Sequence, residues 1–334
     1  MKKLQYIILL SLFLGVILFN FIQKDYITSL RNNLDKDAKY ASERSNAFFP
    51  SPVFFCEEEI PLTEPDVLER FNNELDIYLK YKSNTRLLIR RAHRWFPDIE
   101  KVLEQNNLPT DLKYLVVVES AFTNVTSRRG AVGFWQIRAI TGRTLGLTIN
   151  DQIDERLEPI RATYAASRYF KLAYKNFDNW TMAAASYNLG ISGLEKRIKK
   201  QKPDTFYDLK LNKETYRYVF KAIAFKEVFE NQAKYEFAPQ LVNNKSDVKL
   251  KKHVLDESIE DLSEFANTYL TSADSIRKYN PWIVGNSVIL ERDQQITLYY
   301  TEVENDSTQI TSTNTEKTKT DKAGIILENG HPSK

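Results

Sequence analysis

The stretch Leu112-Lys113-Tyr114-Leu115-Val116-Val117-Val118-Glu119-Ser120 decides the fold of this chain. If it is helical, Glu119 lies seven residues after Leu112 and four after Leu115, so its carboxylate shares the stripe that faces the core. The three consecutive valines favour a strand by local propensity. The apolar period and Pro109, which suits the first turn of a helix, favour the helix. Burial on that stripe would raise the pKa of Glu119 and make it a candidate proton donor near neutral pH.

Helical periodicity extends over most of the chain around this stretch. It predicts a helix from Pro65, a second after Ser83 that ends before Pro97, and a third short helix from Ile99 to about Asn106. Further on, it predicts a helix over about 158–177 with a face formed by Ala162, Ala165, Ala166, Tyr169, Leu172 and Ala173.

The next helical segments carry end signals. A helix over 180–189 is predicted to end at Gly190. Ser192-Gly193-Leu194-Glu195 is typical of a capping box that opens the following helix. Asn212 is predicted to cap a helix over about 214–229.

The composition changes after Tyr235, where residues 236–249 form a polar linker. Residues 250–301 then predict a small unit in the order strand, helix, helix, strand, with strands at about 250–255 and 296–300. Residues 302–334 are rich in Thr, Lys, Glu and Asn, a composition typical of disorder. The fold class is therefore predicted to be mainly α, with a large helical domain over 65–235 and a small C-terminal α/β module.

The N-terminus predicts attachment to a membrane. Lys2 and Lys3 precede an uncharged apolar stretch from Leu4 to Ile22, whose length of about 19 residues nearly spans a bilayer core of roughly 30 Å. The positive-inside rule keeps the lysines cytoplasmic and exports the rest. We interpret residues 1–23 as a signal anchor, with a cleaved signal peptide as the alternative. Residues 24–64 are predicted to be a tether.

Charge and cysteine content exclude several function classes. The 47 basic and 44 acidic side chains leave a formal charge of +3, so nucleic acid is not the expected partner. Cys56 is the only cysteine, which precludes an intrachain disulfide. His93, His253 and His331 lack ligand spacing, and no Gly-rich phosphate loop follows a strand, so neither a metal nor another cofactor is predicted.

Four blocks of the helical domain identify a family resemblance. They are Glu119-Ser120, Ser127-Arg128-Arg129-Gly130-Ala131-Val132-Gly133-Phe134-Trp135-Gln136, Ala184-Ala185-Ser186-Tyr187-Asn188-Leu189-Gly190, and Glu214-Thr215-Tyr216-Arg217-Tyr218-Val219. In this order they resemble the lytic transglycosylases of the soluble-lytic-transglycosylase superfamily, whose fold is goose-type-lysozyme-like. The resemblance covers about 87–231.

The resemblance implies an activity on peptidoglycan glycan strands in the cell envelope. It implies cleavage of the β-1,4 bond between N-acetylmuramic acid and N-acetylglucosamine by the 6-hydroxyl of the sugar itself, which leaves a 1,6-anhydro end. Glu119 would be the sole general acid and base, since the N-acetyl group of the substrate replaces a second carboxylate. The anchor then implies an enzyme held at the inner membrane with its catalytic domain in the periplasm.

The resemblance and the residue chemistry together define the predicted site. Its catalytic residue is Glu119. The predicted substrate-binding residues are Ser120, Ser127, Gly133, Gln136, Tyr187, Asn188 and Tyr218. Within that set, Tyr218 matches a family tyrosine that bonds to the catalytic glutamate, and Trp135 is more often a core residue than a sugar contact.

Two rival functions follow from the same residues. A hydrolase of this fold would need a second acid to position water, and the candidates are Asp151, Asp154, Glu155 and Glu158. A non-catalytic peptidoglycan-binding scaffold would not need Glu119. Residues 250–301 resemble a degenerate LysM module, a sugar-binding βααβ unit, with sugar binding and a spacer role as alternatives.

Overall fold

The structure is a computed structural model that describes residues 23–24, 27–28, 31, 52–237, 250–290 and 296–301. The described residues form two units, one within Met1–Asp247 together with Pro281–Gly285, the other within Val248–Asn280 and Asn286–Lys334. The predicted anchor at 1–23 lies, except for residue 23, outside the described residues. Across the described ranges no helix has both the length and the hydropathy needed to cross a bilayer.

The large unit begins with a short hairpin that the sequence had placed in the tether. Its strands are β1 (Phe54–Phe55) and β2 (Glu58–Glu59), which pair antiparallel. Phe55 and Ile60 are buried in the core of the unit. The carboxylate of Glu58 accepts hydrogen bonds from the backbone amides of Trp180 and Thr181, so this hairpin belongs to the folded unit.

Two long helices follow, α1 (Pro65–Lys80) and α2 (Lys82–Gln105). The predicted break at Pro97 is wrong, because α2 passes through this residue without ending. Proline removes one helical hydrogen bond and crowds the preceding turn. The flanking residues Phe96 and Ile99 are both buried in the core, and we attribute the continuity of α2 to this packing.

The stretch that carries Glu119 is helical, as its apolar period predicts. It forms a 3-10 helix (Thr110–Tyr114) that continues into α3 (Leu115–Ser120). Leu112, Leu115 and Val116 are fully buried. Tertiary packing of this stripe therefore outweighs the strand propensity of the valines.

A hairpin of β3 (Ala131–Val132) and β4 (Ile137–Arg138) leads into α4 (Ala139–Thr144). After a 3-10 turn (Glu155–Leu157) come α5 (Pro159–Phe177), α6 (Trp180–Leu189) and α7 (Ile191–Gln201). The alanine face of α5 is buried as predicted, whereas Leu172 falls beside that stripe and is exposed.

The predicted capping box at Ser192 does not form. Helix α7 already begins at Ile191, with Gly190 as its N-cap at φ +83°. This positive φ, which glycine adopts readily, ends α6 and starts α7 within one residue. Ser192 therefore lies inside the first turn and not at the cap.

Helix α8 (Lys213–Glu230) completes the large unit after a 3-10 turn (Phe206–Asp208). Asn212 caps it, since its side-chain oxygen accepts from the amide of Thr215. Val219, Ile223 and Phe225 are buried in the core.

The small unit has the predicted order of elements. These are β5 (Lys251–Leu255), α9 (Leu262–Thr268), α10 (Ala273–Tyr279) and β6 (Ile296–Tyr300). The strands pair antiparallel, from Lys251 opposite Tyr300 to Leu255 opposite Ile296. The buried Asn280 exchanges two hydrogen bonds with the backbone of Tyr299. The LysM-like assignment and its sugar binding stay predictions.

Candidate active site

Glu119 lies in the last turn of α3, at the end of the buried apolar stripe. Its side chain is half-buried, while Leu115 and Val116 one turn earlier are fully buried. Burial disfavours the charged carboxylate and raises the pKa of Glu119 to about 7. A carboxylic acid with this pKa can both donate and accept a proton near neutral pH.

Tyr218 of α8 contacts this carboxylate directly. Its hydroxyl donates to Glu119 Oε1 at 2.7 Å. The bond stabilises the charged form and lowers the pKa of Glu119, opposing the effect of burial, while the negative charge of Glu214 adds to that effect. The predicted tyrosine–glutamate contact is present in the structure.

The backbone directly after Glu119 is held in an unusual conformation. Ala121 and Phe122 both have left-handed φ values, +52° and +59°, which cost non-glycine residues about 1–2 kcal/mol each. The guanidinium of Arg91 donates to the carbonyl of Ala121 at 2.9 Å, and the Thr123 hydroxyl donates to that of Ser120 at 2.6 Å. These bonds fix the end of α3, and with it the direction of the carboxylate.

Ser120 is buried and its hydroxyl is already used within the protein. It donates to the carbonyl of Phe134 at 2.8 Å. The bond ties α3 to the loop between β3 and β4. The geometry therefore favours a positioning role for Ser120 over the predicted substrate contact.

The loop between β3 and β4 is shaped by Gly133. Its φ is +80°, and a Cβ there would lie 1.8 Å from the carbonyl oxygen of Arg156. Close packing against protein backbone thus accounts for a glycine at this position, and the substrate contact of Gly133 stays a prediction. Arg156 is held in turn by a buried ion pair with Asp154, with Nη2–Oδ2 at 2.7 Å.

Trp135 and Gln136 follow in the same loop and face different surroundings. Trp135 is fully buried and its indole nitrogen donates to the Thr163 hydroxyl at 2.8 Å, so it is a core residue. The amide nitrogen of Gln136 donates to the carbonyls of Gly133 and Val125. No described residue donates to the amide oxygen of Gln136, which leaves an acceptor for the amide of a substrate.

The end of α6 carries two predicted residues with different roles. The Tyr187 hydroxyl donates to the carbonyl of Trp135 at 2.8 Å, so it fixes the loop. Burial and the nearby charge of Glu119 raise the pKa of Tyr187 well above its ordinary value. Asn188 accepts from the Thr215 hydroxyl at 2.7 Å and so links α6 to α8.

Ser127 closes the turn before β3. Its backbone amide donates to the carbonyl of Ala131 at 2.8 Å, and its hydroxyl oxygen accepts from the amide of Ala131 at 3.0 Å. The hydroxyl proton has no acceptor among the described residues. Ser127 is the predicted serine that keeps a donor for a ligand.

Two residues that hold the backbone around the site, Tyr169 and Arg91, are not predicted as site residues by the sequence. Tyr169 of α5 donates to the carbonyl of Ser186 at 2.6 Å, and it lies near Tyr187 and Tyr218. The one feature of the sequence that could have indicated Tyr169 is its position as an aromatic residue on the alanine face of α5. Arg91 had no local signal, because its acceptor lies 30 residues away in sequence.

The acids proposed for a hydrolase are mostly engaged elsewhere. Asp154 pairs with Arg156, Glu155 accepts from the amide of Thr148 at 2.7 Å, and Glu158 caps α5. Asp151 is exposed to solvent. In the part of the chain that the structure describes, no group of three or more His, Cys, Asp or Glu is placed to hold a metal ion.

The comparisons with known proteins agree with the resemblance. Residues 98–209 match the family described as "Transglycosylase SLT domain". The chain is 32% identical over 187 residues to "Membrane-bound lytic murein transglycosylase D" of Escherichia coli strain K12, across 54% of this chain and 41% of the relative. The protein of the same name from E. coli O6:H1 strain CFT073 matches to the same extent. The match thus spans less than half of either relative, and the predicted resemblance to lytic transglycosylases is confirmed.

Proposed function

We propose that this chain, whose residues 98–209 match the transglycosylase SLT domain, is a peptidoglycan lytic transglycosylase with Glu119 as its sole general acid and base. The observation that carries the proposal is the half-buried Glu119 carboxyl, with a pKa of about 7, bonded to Tyr218. The bond cleaved is the β-1,4 linkage between N-acetylmuramic acid and N-acetylglucosamine.

The first step uses the protonated form of Glu119. Its carboxyl proton moves to the glycosidic oxygen as the bond from that oxygen to C1 of the muramyl residue breaks. The N-acetylglucosamine leaves with a free hydroxyl. The carbonyl oxygen of the muramyl N-acetyl group stabilises the positive charge that develops at C1, which is substrate assistance.

The second step uses the carboxylate that the first step leaves. Glu119 takes the proton from the 6-hydroxyl of the muramyl residue, and that oxygen attacks C1 to close the 1,6-anhydro ring. The proton that Glu119 gave is thereby recovered, and no water is consumed. One carboxyl group can perform both steps because its pKa is close to neutral pH.

The surroundings of Glu119 support this assignment over the hydrolase. A hydrolase of this fold would need a second carboxylate free to activate water. Three of the four candidates, Asp154, Glu155 and Glu158, are each held by hydrogen bonds or an ion pair within the protein, and the fourth, Asp151, is exposed to solvent. The scaffold alternative gives no reason for a half-buried carboxyl held by a buried tyrosine.

Mass spectrometry of digested peptidoglycan tests the reaction type. The chain of residues 1–334 is expected to release fragments that end in 1,6-anhydro-N-acetylmuramic acid. These fragments are lighter by one water than those that a hydrolase releases. Reducing muramyl ends as the main product would contradict the transglycosylase assignment and support the hydrolase.

We also propose that the chain acts in the cell envelope, held to the inner membrane by residues 1–23. The apolar stretch at 4–22 and the membrane-bound relatives support this location. After cell fractionation, the chain of residues 1–334 is expected in the membrane pellet, and a chain without residues 1–23 in the soluble fraction. If expression of residues 1–334 instead yields a shortened protein in the soluble fraction, the N-terminal segment is a cleaved signal peptide.

A further inference from the structure

An ion pair between a buried carboxylate and a partly exposed guanidinium joins α1 to the beginning of α8. The Glu74 carboxylate is 3% exposed. The guanidinium of Arg217 donates to both of its oxygens, through Nε to Oε1 and through Nη2 to Oε2 at 3.1 Å. Such a two-point contact between a planar guanidinium and a carboxylate fixes orientation as well as distance.

Other side chains extend the contact between these two helices. The Arg70 guanidinium lies 3.8 Å from the centre of the Tyr216 ring. The Tyr78 hydroxyl donates to the carbonyl of Lys221 at 3.3 Å, and its ring packs against Phe225 at 5.4 Å between centroids. Helix α1 therefore contacts α8 over several turns, from Tyr216 to Phe225 of α8.

Arg217, which forms the ion pair, directly precedes Tyr218, which donates to Glu119. Consecutive helical residues point about 100° apart around the axis. The contact of Arg217 with α1 therefore constrains the rotation of α8 next to Tyr218, in addition to the packing of the rest of the helix. Helical side chains reach about 5–6 Å from the axis, so a rotation of about 10° moves their ends by about 1 Å. A displacement of that size along the bond would lengthen the 2.7 Å contact with Glu119 beyond hydrogen-bond distance.

We propose that Glu74 and Arg217 are positioning residues, whose ion pair constrains the rotation of α8 and so holds the Tyr218 hydroxyl on Glu119. The inference rests on the proposed function. Glu74 lies outside the residues 98–209 that match the family, so this support comes from the N-terminal part of the unit. Glu74 and Arg217 act through Tyr218 and do not themselves reach the reacting atoms.

The effect on pH dependence has a definite sign. The groups that face Glu119 are Tyr218 and Glu214 from α8, Tyr187 from α6 and, behind the latter, Tyr169 from α5. The Tyr218 bond lowers the pKa of Glu119. Loss of this bond therefore raises that pKa, and the high-pH limb of activity, where Glu119 loses its proton, moves to higher pH.

A double-mutant cycle on the chain of residues 1–334 tests the proposal. Glu74→Gln keeps the size of the side chain but removes its charge. We expect kcat to fall by up to about 10²-fold with little change in KM, the upper value being the loss that a displacement near 1 Å would cause. Tyr218→Phe should have a similar effect. Because both changes act on one bond, the double variant should be no slower than Tyr218→Phe alone.

Glu227→Gln provides the matched control at the other end of α8. Glu227 is also buried and bonds to Lys234 and to Tyr235. Its replacement should reduce stability but leave kcat and the pH limb unchanged. Glu74→Asp, which keeps the charge, should restore part of the activity.

Carbon-13 NMR titration of the Glu119 carboxyl gives a second measurement that does not depend on turnover. Glu74→Gln and Tyr218→Phe should both raise its pKa, and Glu227→Gln should not. Effects of Glu74→Gln that multiply with those of Tyr218→Phe would overturn the proposal, as would an unchanged Glu119 pKa. Absence of anhydro products from the wild-type chain would instead defeat the proposed function, and the titration would still decide the positioning role.

Discussion

Replacing Glu119 by Gln is expected to reduce the release of anhydro ends from peptidoglycan by about 10³-fold. The glutamine has almost the same shape, but it can neither give a proton to the glycosidic oxygen nor take one from the 6-hydroxyl. Asp154, Glu155 and Glu158 are engaged within the protein. The exposed Glu214, whose charge acts on Glu119, lacks the burial that raises the pKa of Glu119. Quantifying anhydro products by mass spectrometry measures the loss, and wall degradation that survived the change would contradict the mechanism.

The stability of the same variant shows whether it is folded. The pKa of Glu119 is raised from 4.5 to about 7 in the folded chain. Its contribution to stability is therefore fully present below pH 4.5 and is lost as the pH rises through 7. The glutamine stays neutral, so above pH 7 the variant should be more stable than the wild type by about 1–3 kcal/mol, the smaller value allowing for partial exposure.

Thermal unfolding followed by circular dichroism at pH 4.5 and pH 8 measures this difference. The advantage of Glu119→Gln should be present at pH 8 and largely absent at pH 4.5. A variant that is inactive and less stable at both values would show that Glu119 has a structural role. A variant that is inactive but more stable at pH 8 separates the chemistry from the fold.

Replacing Gly133 by Ala is expected to destabilise the chain by about 4 kcal/mol or more, or to prevent folding. The added methyl group would meet the carbonyl oxygen of Arg156 at 1.8 Å. This carbonyl cannot move away easily, because the Arg156 side chain pairs with Asp154 and also donates to the carbonyls of Gly130 and Ile137. Relief of the clash would thus disturb the loop that carries Gln136.

Gly130→Ala is the matched control for this substitution. Gly130 has a similar φ of +74°, but nothing lies within 4 Å of its missing Cβ. Its replacement should cost only the left-handed backbone preference, about 1 kcal/mol. Urea unfolding of both variants separates conformational strain from the clash. Equal losses at the two glycines would contradict the assignment of Gly133 to close packing.

Sequence periodicity correctly predicts those helices whose buried residues recur at helical spacing within one segment. The stripe from Leu112 to Glu119 identifies the helix correctly although the valines favour a strand. At Pro97 a local rule fails, because buried neighbours hold α2 together. The hairpin around Glu58 could not be predicted, since its partners Trp180 and Thr181 are more than 120 residues distant.

In the candidate site, too, the sequence indicates some residues but not the contacts between distant parts of the chain. The ordered blocks predict Glu119 and its bond to Tyr218, because the resemblance carries that pair as a unit. They do not show which polar groups are already used by the protein. Ser120 and Tyr187 each donate to a loop carbonyl, and such contacts with backbone leave no trace in residue identity. The polar atoms of Gln136 and Ser127 that no described residue bonds could be found only from the structure.

The hydrogen bonds from α6 to Glu58 show that the folded unit begins before the family match does. The family match begins at residue 98, yet the first amides of α6 are bonded to a carboxylate 40 residues before that point. A chimera that exchanged only the matched residues between relatives would join α6 to a hairpin selected for another sequence. Residues 53–62 therefore belong to the same folded unit as the helices around Glu119, although they precede the family match.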